Sequence, residues 1–162
     1  MRHSVVRLTM AIATAVGWLA FNASPALAQY HQINLTGYQP GMGRFLDPKL
    51  NGWGMVEAPD GTFCIANTAP GVATFYDQSG KPLPQAITIP PAPNHPRGPL
   101  GTPTGLVYNP TEEFVISKNG RSAPAIFIFD SLDGTISGWN PAVDEYNAVT
   151  IQDNSAAGAI YT

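Results

Sequence analysis

The chain has 162 residues, a formal net charge of −3 and only 12% charged residues. Its eight Lys and Arg are spread singly along the sequence, which excludes the concentrated basic patch that nucleic acid or an anionic membrane surface requires. Sixteen Gly and sixteen Pro, interleaved with β-branched and aromatic residues, point to short strands joined by tight turns rather than to helices or disorder.

Residues 1–28 read as an export leader. Arg2, His3 and Arg7 form a basic start, Leu8 to Phe21 is apolar, and Ala26-Leu27-Ala28 is an A-x-A cleavage site. The apolar stretch falls short of the roughly 20 residues needed to span a bilayer and is followed by Pro25. The expected address is therefore the periplasm or the exterior, without stable membrane insertion after cleavage. The remaining chain would carry six Lys and Arg against eleven acids, a net charge of −5. Cys64 is the only cysteine, so no intrachain disulfide forms. Its neighbours Phe63 and Ile65 mark it as a small buried hydrophobe inside a strand rather than a reactive thiol.

Residues 29–50 form an N-terminal segment with one predicted strand at Ile33–Thr36. The chain then repeats itself. Gly54 matches Gly105, Met55 matches Leu106, Val56 Val107, Pro59 Pro110, Phe63 Phe114 and Ile65 Ile116, always 51 residues apart. A period near 50, with each copy reading as strand, Pro-led turn and strand, predicts an all-β fold: a partial β-propeller of about two blades, each a four-stranded antiparallel meander. Blade one, residues 51–90, has predicted strands at Gly54–Glu57, Phe63–Asn67, Ala73–Asp77 and Ala86–Ile89, with turns at Pro59-Asp60-Gly61 and Gln78-Ser79-Gly80. Residues 91–103 continue a proline-rich stretch and read as an inter-blade linker that holds His95 and Arg97. Blade two, residues 104–152, shows Gly105–Asn109, Glu113–Lys118, Ala125–Phe129, Thr135–Trp139 and Ala148–Gln152, five runs where four suffice. Either the last run belongs to a following blade or Thr135–Trp139 extends a hairpin. Gly158–Tyr161 resembles the first strand of each copy, so residues 153–162 read as the start of a truncated third blade.

From Tyr30 onward the chain resembles a family of exported bacterial proteins predicted to form six-bladed, NHL-like propellers, some from organisms with PEP-CTERM sorting systems. The resemblance is carried by Asp47-Pro48-x-Leu50-Asn51-x-Trp53-Gly54, Tyr76-Asp77-x-x-Gly80-x-Pro82-Leu83-Pro84, Pro103-Thr104-Gly105, Pro124-Ala125-x-Phe127-Ile128-Phe129 and Asp133-Gly134-Thr135-Ile136-Ser137-Gly138-Trp139-Asn140-Pro141. It implies a propeller and export, and supplies no catalytic residues. The chain departs from the family pattern at Gly52, usually proline, at Cys64, usually tryptophan, and in length, since members run on for several more blades.

The sequence lacks the G-x-S-x-G elbow, H-E-x-x-H, C-x-x-C, phosphate-cradling and EF-hand signatures. Its carboxylates Asp60, Glu112, Glu113, Asp130 and Asp133 fall at turns, where acids bond the local backbone. Trp53 and Trp139, with Tyr76 and Phe129, read either as packing between blades or as an aromatic binding surface. The expected protein is an exported, non-catalytic binding or scaffold propeller. Its partner would be a protein or glycan of the cell envelope or matrix, and its open blade edges would favour self-association. The alternative is a metal-dependent hydrolase of the sugar-lactonase type, holding calcium or another divalent cation. Glu57, Asn67 and Asn109 are its candidate ligands, with Lys118 at the fourth matched position opposing a cation.

Overall fold

Turn chemistry sets the first sheet. Gly61 and Gly80 adopt φ of +82° and +81°, left-handed conformations that side chains rarely tolerate, and each closes a tight reversal between strands. The structure is a computed structural model that describes residues 30–93 and 99–162, and Ile33–Thr162 form one unit. The leader, His95 and Arg97 lie outside the described residues.

The protein is all-β. A short parallel bridge joins β1 (Thr36–Gly37) to β2 (Phe45–Leu46), where the sequence predicts a strand at Ile33–Thr36. The first four-stranded sheet is an antiparallel meander of β3 (Gly52–Glu57), β4 (Phe63–Asn67), β5 (Val72–Tyr76) and β6 (Pro82–Thr88), in that order. β6 starts four residues earlier than predicted, and it takes in Pro82 and Pro84 because an edge strand need not donate from every residue.

The second four-stranded sheet runs β12 (Val149–Asp153), β11 (Thr135–Trp139), β10 (Phe127–Ser131), β7 (Pro103–Tyr108). Here the structure corrects the sequence reading. Glu113–Lys118 is not the partner of the Gly105–Asn109 run. β8 (Val115–Lys118) pairs only with β9 (Arg121–Pro124), a strand absent from the prediction, in a separate hairpin. Two local causes act together. Asn119 and Gly120 have φ of +52° and +78°, the pair of positive values that a tight two-residue hairpin turn needs. Phe114, at φ +55°, swings the chain out of the sheet just before β8. The Asn109 amide closes the neck of this excursion by donating to Glu113 O at 3.1 Å and Ala125 O at 2.9 Å.

The five runs are thereby resolved: the second is an inserted hairpin, and Thr135–Trp139 and the last run are ordinary strands of the sheet. Equivalent residues follow from register. Met55 opposite Ile65 corresponds to Leu106 opposite Phe129, and Glu57 opposite Phe63 to Tyr108 opposite Phe127. The step of 51 therefore holds for the first strand only and becomes 64 for the second (129 − 65). Residues 159–162 form no strand; after a 3-10 turn at Ser155–Ala157 they lie as irregular chain, with Tyr161 N donating to Ser131 O.

Alternation along the strands places Val56, Cys64, Ala73, Phe75 and Ile87 on one face of the first sheet, packed against Leu106, Tyr108, Phe127, Phe129 and Trp139 of the second. Phe129, Cys64 and Ile87 are fully buried there, and burial of a Phe or Ile side chain is worth about 1.5–3 kcal/mol. The first strands come close together: a Cβ on Gly54 would lie 2.4 Å from Thr104 O, so only glycine fits. At the outer edge Thr88 N donates to Tyr146 O and Ala148 N to Thr88 O, which ties β6 to the chain entering β12. A second, smaller core of Ile116, Ala125 and Val143 lies under the inserted hairpin.

Candidate functional site

The candidate site is an apolar cleft between the two sheets, built where strand ends from both converge. The β3–β4 turn supplies Ala58, Pro59, Asp60 and Thr62; the start of β6 supplies Leu83, Pro84 and Gln85. The second sheet adds Tyr108 from the end of β7, Ile126 and Phe127 from the start of β10, and Trp139 from the end of β11. The cleft encloses about 630 Å³, within the range of small-ligand sites.

Its floor is aromatic. Phe75 lies 5.7 Å from Phe127 and 5.9 Å from Trp139 between ring centroids, Tyr108 meets Phe127 edge-on at 5.9 Å, and Phe127 stacks on Trp139 at 6.2 Å. These are the separations at which aromatic rings attract beyond simple burial. Phe75, Phe127 and Trp139 are nearly sealed, while Tyr108 is half-buried and fronts the opening. Glu145 O fixes the outer wall by accepting from Trp139 Nε1 at 3.3 Å and Gln85 Nε2 at 3.1 Å. At the rim Thr62 N donates to the Asp60 carboxylate at 2.9 Å, and this bond holds its pKa below the usual carboxylate range. The arrangement is an apolar, aromatic floor with one anionic rim group. It offers a ligand stacking and dispersion contacts over the floor and one charged contact at the rim.

Of the aromatic residues singled out in the sequence, Trp139 and Phe129 pack in the inter-sheet core. Tyr76 is buried on the opposite side, donating to Asp47 Oδ2 at 2.7 Å, and Trp53 stands 60% exposed at the bulge in β3. The four therefore form no common surface. Phe75, Tyr108 and Phe127, which the sequence reading left out, line the cleft instead.

The candidate metal ligands are placed apart. Glu57 is exposed at one end of β3, whereas Asn67 pairs with Gly52 at the other, about 16 Å away for five residues of strand. Asn67 is fully buried; its Oδ1 accepts from Asn51 N at 2.7 Å and its Nδ2 donates to Ile65 O and Thr74 Oγ1. Asn109 Oδ1 accepts from Thr111 N and Oγ1, and its amide nitrogen holds the hairpin neck. Lys118 Nζ pairs with Asp144 at 2.7 Å. Among the described residues no three His, Cys, Asp or Glu gather as a metal-holding group.

The carboxylates are similarly occupied. Asp133, buried, accepts from Ala92 N at 2.9 Å and from Thr135 N and Oγ1, fastening the proline-rich connection to the second sheet. Asp130 Oδ1 accepts from Thr104 Oγ1 and Gly105 N. Glu112 and Glu113 are exposed in the loop before the hairpin. Burial pushes the Cys64 thiol far above its ordinary range, so it stays protonated and inert.

No family model matches the chain, and no solved structure does. A stretch of 61 residues, 37% of the chain, is 36% identical to the "Uncharacterized protein R640" of Acanthamoeba polyphaga mimivirus. The match spans about 12% of that relative's length.

Proposed function

We propose that the protein is an exported, non-catalytic binding module of β-propeller type, and that its inter-sheet cleft contacts a protein or glycan of the cell envelope or matrix. The observation that carries the binding reading is the cleft of about 630 Å³ with its aromatic floor, in a molecule whose buried carboxylates, Asp47 and Asp133, are taken up by backbone and hydroxyl donors. Two further features favour the propeller reading. The two sheets share one register despite the inserted hairpin, and their first strands lie side by side, as innermost strands do around a propeller axis. Export rests on the basic, apolar and A-x-A pattern of residues 1–28.

The test of binding uses the intrinsic emission of Trp139. Soluble envelope and matrix polysaccharides and solubilised envelope proteins are titrated into the chain and into Tyr108→Ala. A saturable change in the parent, lost in the variant, supports the cleft as the contact. An unchanged spectrum across the whole set, or equal binding by Tyr108→Ala, defeats it. Export is tested separately, by the mass of the protein recovered outside the cytoplasm: a chain beginning at Gln29 is expected, and recovery only as intact cytoplasmic chain refutes it.

A further inference from the structure

The two sheets bear the same face in register, but only one of the two copies is covered. On the second sheet Leu106, Tyr108, Phe127, Phe129 and Trp139 are packed against the first. Their counterparts on the first sheet are Met55, Glu57, Phe63, Ile65 and Tyr76. Tyr76 is buried beneath the N-terminal segment, but Met55 is 66% exposed, and Phe63 and Ile65 are half-buried. Together with Leu35 and Leu50 they line an apolar hollow of about 300 Å³. Asp77 is the one ionisable carboxyl at its margin, and its Oδ1 accepts from Ser79 N, Ser79 Oγ and Lys81 N.

We infer that this face is a self-association surface, on which two copies pack their β3–β4 faces across a two-fold axis. A sheet face is the shape that fits it, because its counterpart within the molecule packs on a sheet. The head-to-tail alternative needs the outer face of the second sheet, where Val107, Ile128 and Gly138 correspond to Val56, Cys64 and Phe75. Over Ile128 and Gly138 that face is already occupied by the inserted hairpin, which leaves only its inner edge at Val107 open: Phe114 and Ile116 pack with Ile128 and Val149, and a Cβ on Gly138 would meet Ile116 Cγ2 at 2.8 Å. With the centre of the complementary face covered, the exposed apolar face has its own image in a second copy as the better match, which is an isologous contact and ends at a dimer. The inference does not depend on the cleft or on export.

Sedimentation velocity of the chain as expressed, from about 1 to about 100 µM, reads the outcome directly. A monomer–dimer equilibrium is expected. Met55→Glu and Met55→Ser weaken it at least about tenfold, since a truncated or charged centre removes the contact. Val107→Glu, at a residue 55% exposed on the outer face of the second sheet, leaves it unchanged. All variants retain residues 1–28, so association through the leader would not distinguish them. Circular dichroism confirms that each is folded, as expected for exposed positions. A monomer at every concentration, a dimer indifferent to Met55, a dimer lost in Val107→Glu, or growth beyond the dimer each overturns the proposal.

Discussion

Replacing Tyr76 by Phe tests how the first sheet holds the N-terminal segment. Four side chains form one relay: Asn67 Nδ2 donates to Thr74 Oγ1 at 2.8 Å, Thr74 and Tyr76 share a 2.9 Å bond, and Tyr76 Oη donates to Asp47 Oδ2 at 2.7 Å. Because the tyrosine proton is committed to Asp47 and the threonine oxygen already accepts from Asn67, Thr74 donates to Tyr76. Every proton thus points toward the carboxylate, an order in which each bond polarises the next. Tyr76→Phe keeps the ring and its packing, and removes only the oxygen. Thr74, 4% exposed, is then left with an unused donor, and Asp47, 8% exposed, loses one donor while keeping Lys49 N at 2.9 Å. A hydrogen bond to a charged group contributes about 1.5–3 kcal/mol, so the variant should lose about 2–3 kcal/mol. For a chain of this size that corresponds to a fall in Tm of about 6–12 °C. Urea unfolding followed by far-UV circular dichroism measures the free energy. Limited proteolysis at residues 38–44 should accelerate in parallel, because Asp47 and Phe45 anchor that loop. A loss under about 0.5 kcal/mol, or a full loss with unchanged proteolysis, would refute the relay as the link between segment and sheet.

Two other outcomes follow from polar groups in the second sheet and its flank. Ser131 and Ser137 occupy the positions of Asn67 and Thr74, and among the described residues their buried hydroxyls lack a partner. Ser137→Ala should therefore be neutral or stabilising by up to about 1 kcal/mol, measured by urea unfolding, and a clear destabilisation would contradict this account. The Lys118 ammonium beside Asp144, with donors from Asn147 and Tyr146, holds the Asp144 carboxyl well below the usual carboxylate range. A folded-state value depressed in this way gives stability that is present above the unfolded pKa near 3.9 and is lost as pH falls below it. The pair is partly solvated, so its share is about 0–1 kcal/mol. Asp144→Asn should flatten the acid limb of the Tm-against-pH curve below about pH 4, and a slope identical to the parent's would exclude the pair as a contributor.

The first sheet was legible because its signals are local. Pro59-Asp60-Gly61 and Gln78-Ser79-Gly80 specify reversals at fixed places, and the alternation in Phe63–Asn67 specifies a strand with one buried face. The second sheet misled where two local signals competed. Phe114 and Ile116 match Phe63 and Ile65 in type and spacing, yet Asn119-Gly120 closes a hairpin on its own, and local pairing forms at less entropic cost than a return to β7. Nothing in the apolar pattern distinguishes a strand that joins a sheet from one that packs over it. The cleft was illegible for a different reason. Phe75 and Trp139 meet at 5.9 Å although they are 64 residues apart, and the segment that singles out Trp139 in the sequence says nothing of its partner. Asn67 and Asn109 show the converse: amides at strand ends look the same in sequence whether they hold a cation or the backbone, and only their partners distinguish the two.

The hairpin's closed neck has a consequence for how such a chain tolerates change. Asn109 bridges Glu113 O and Ala125 O, and Ala125 N donates to Phe114 O, so strands β7 and β10 meet the same boundary whatever lies beyond it. The tip at Asn119-Gly120 is exposed, and a Cβ on Gly120 would touch nothing within 4 Å. A foreign loop or epitope spliced there would be carried outward without shifting the register beneath, making that tip the natural grafting point of the molecule.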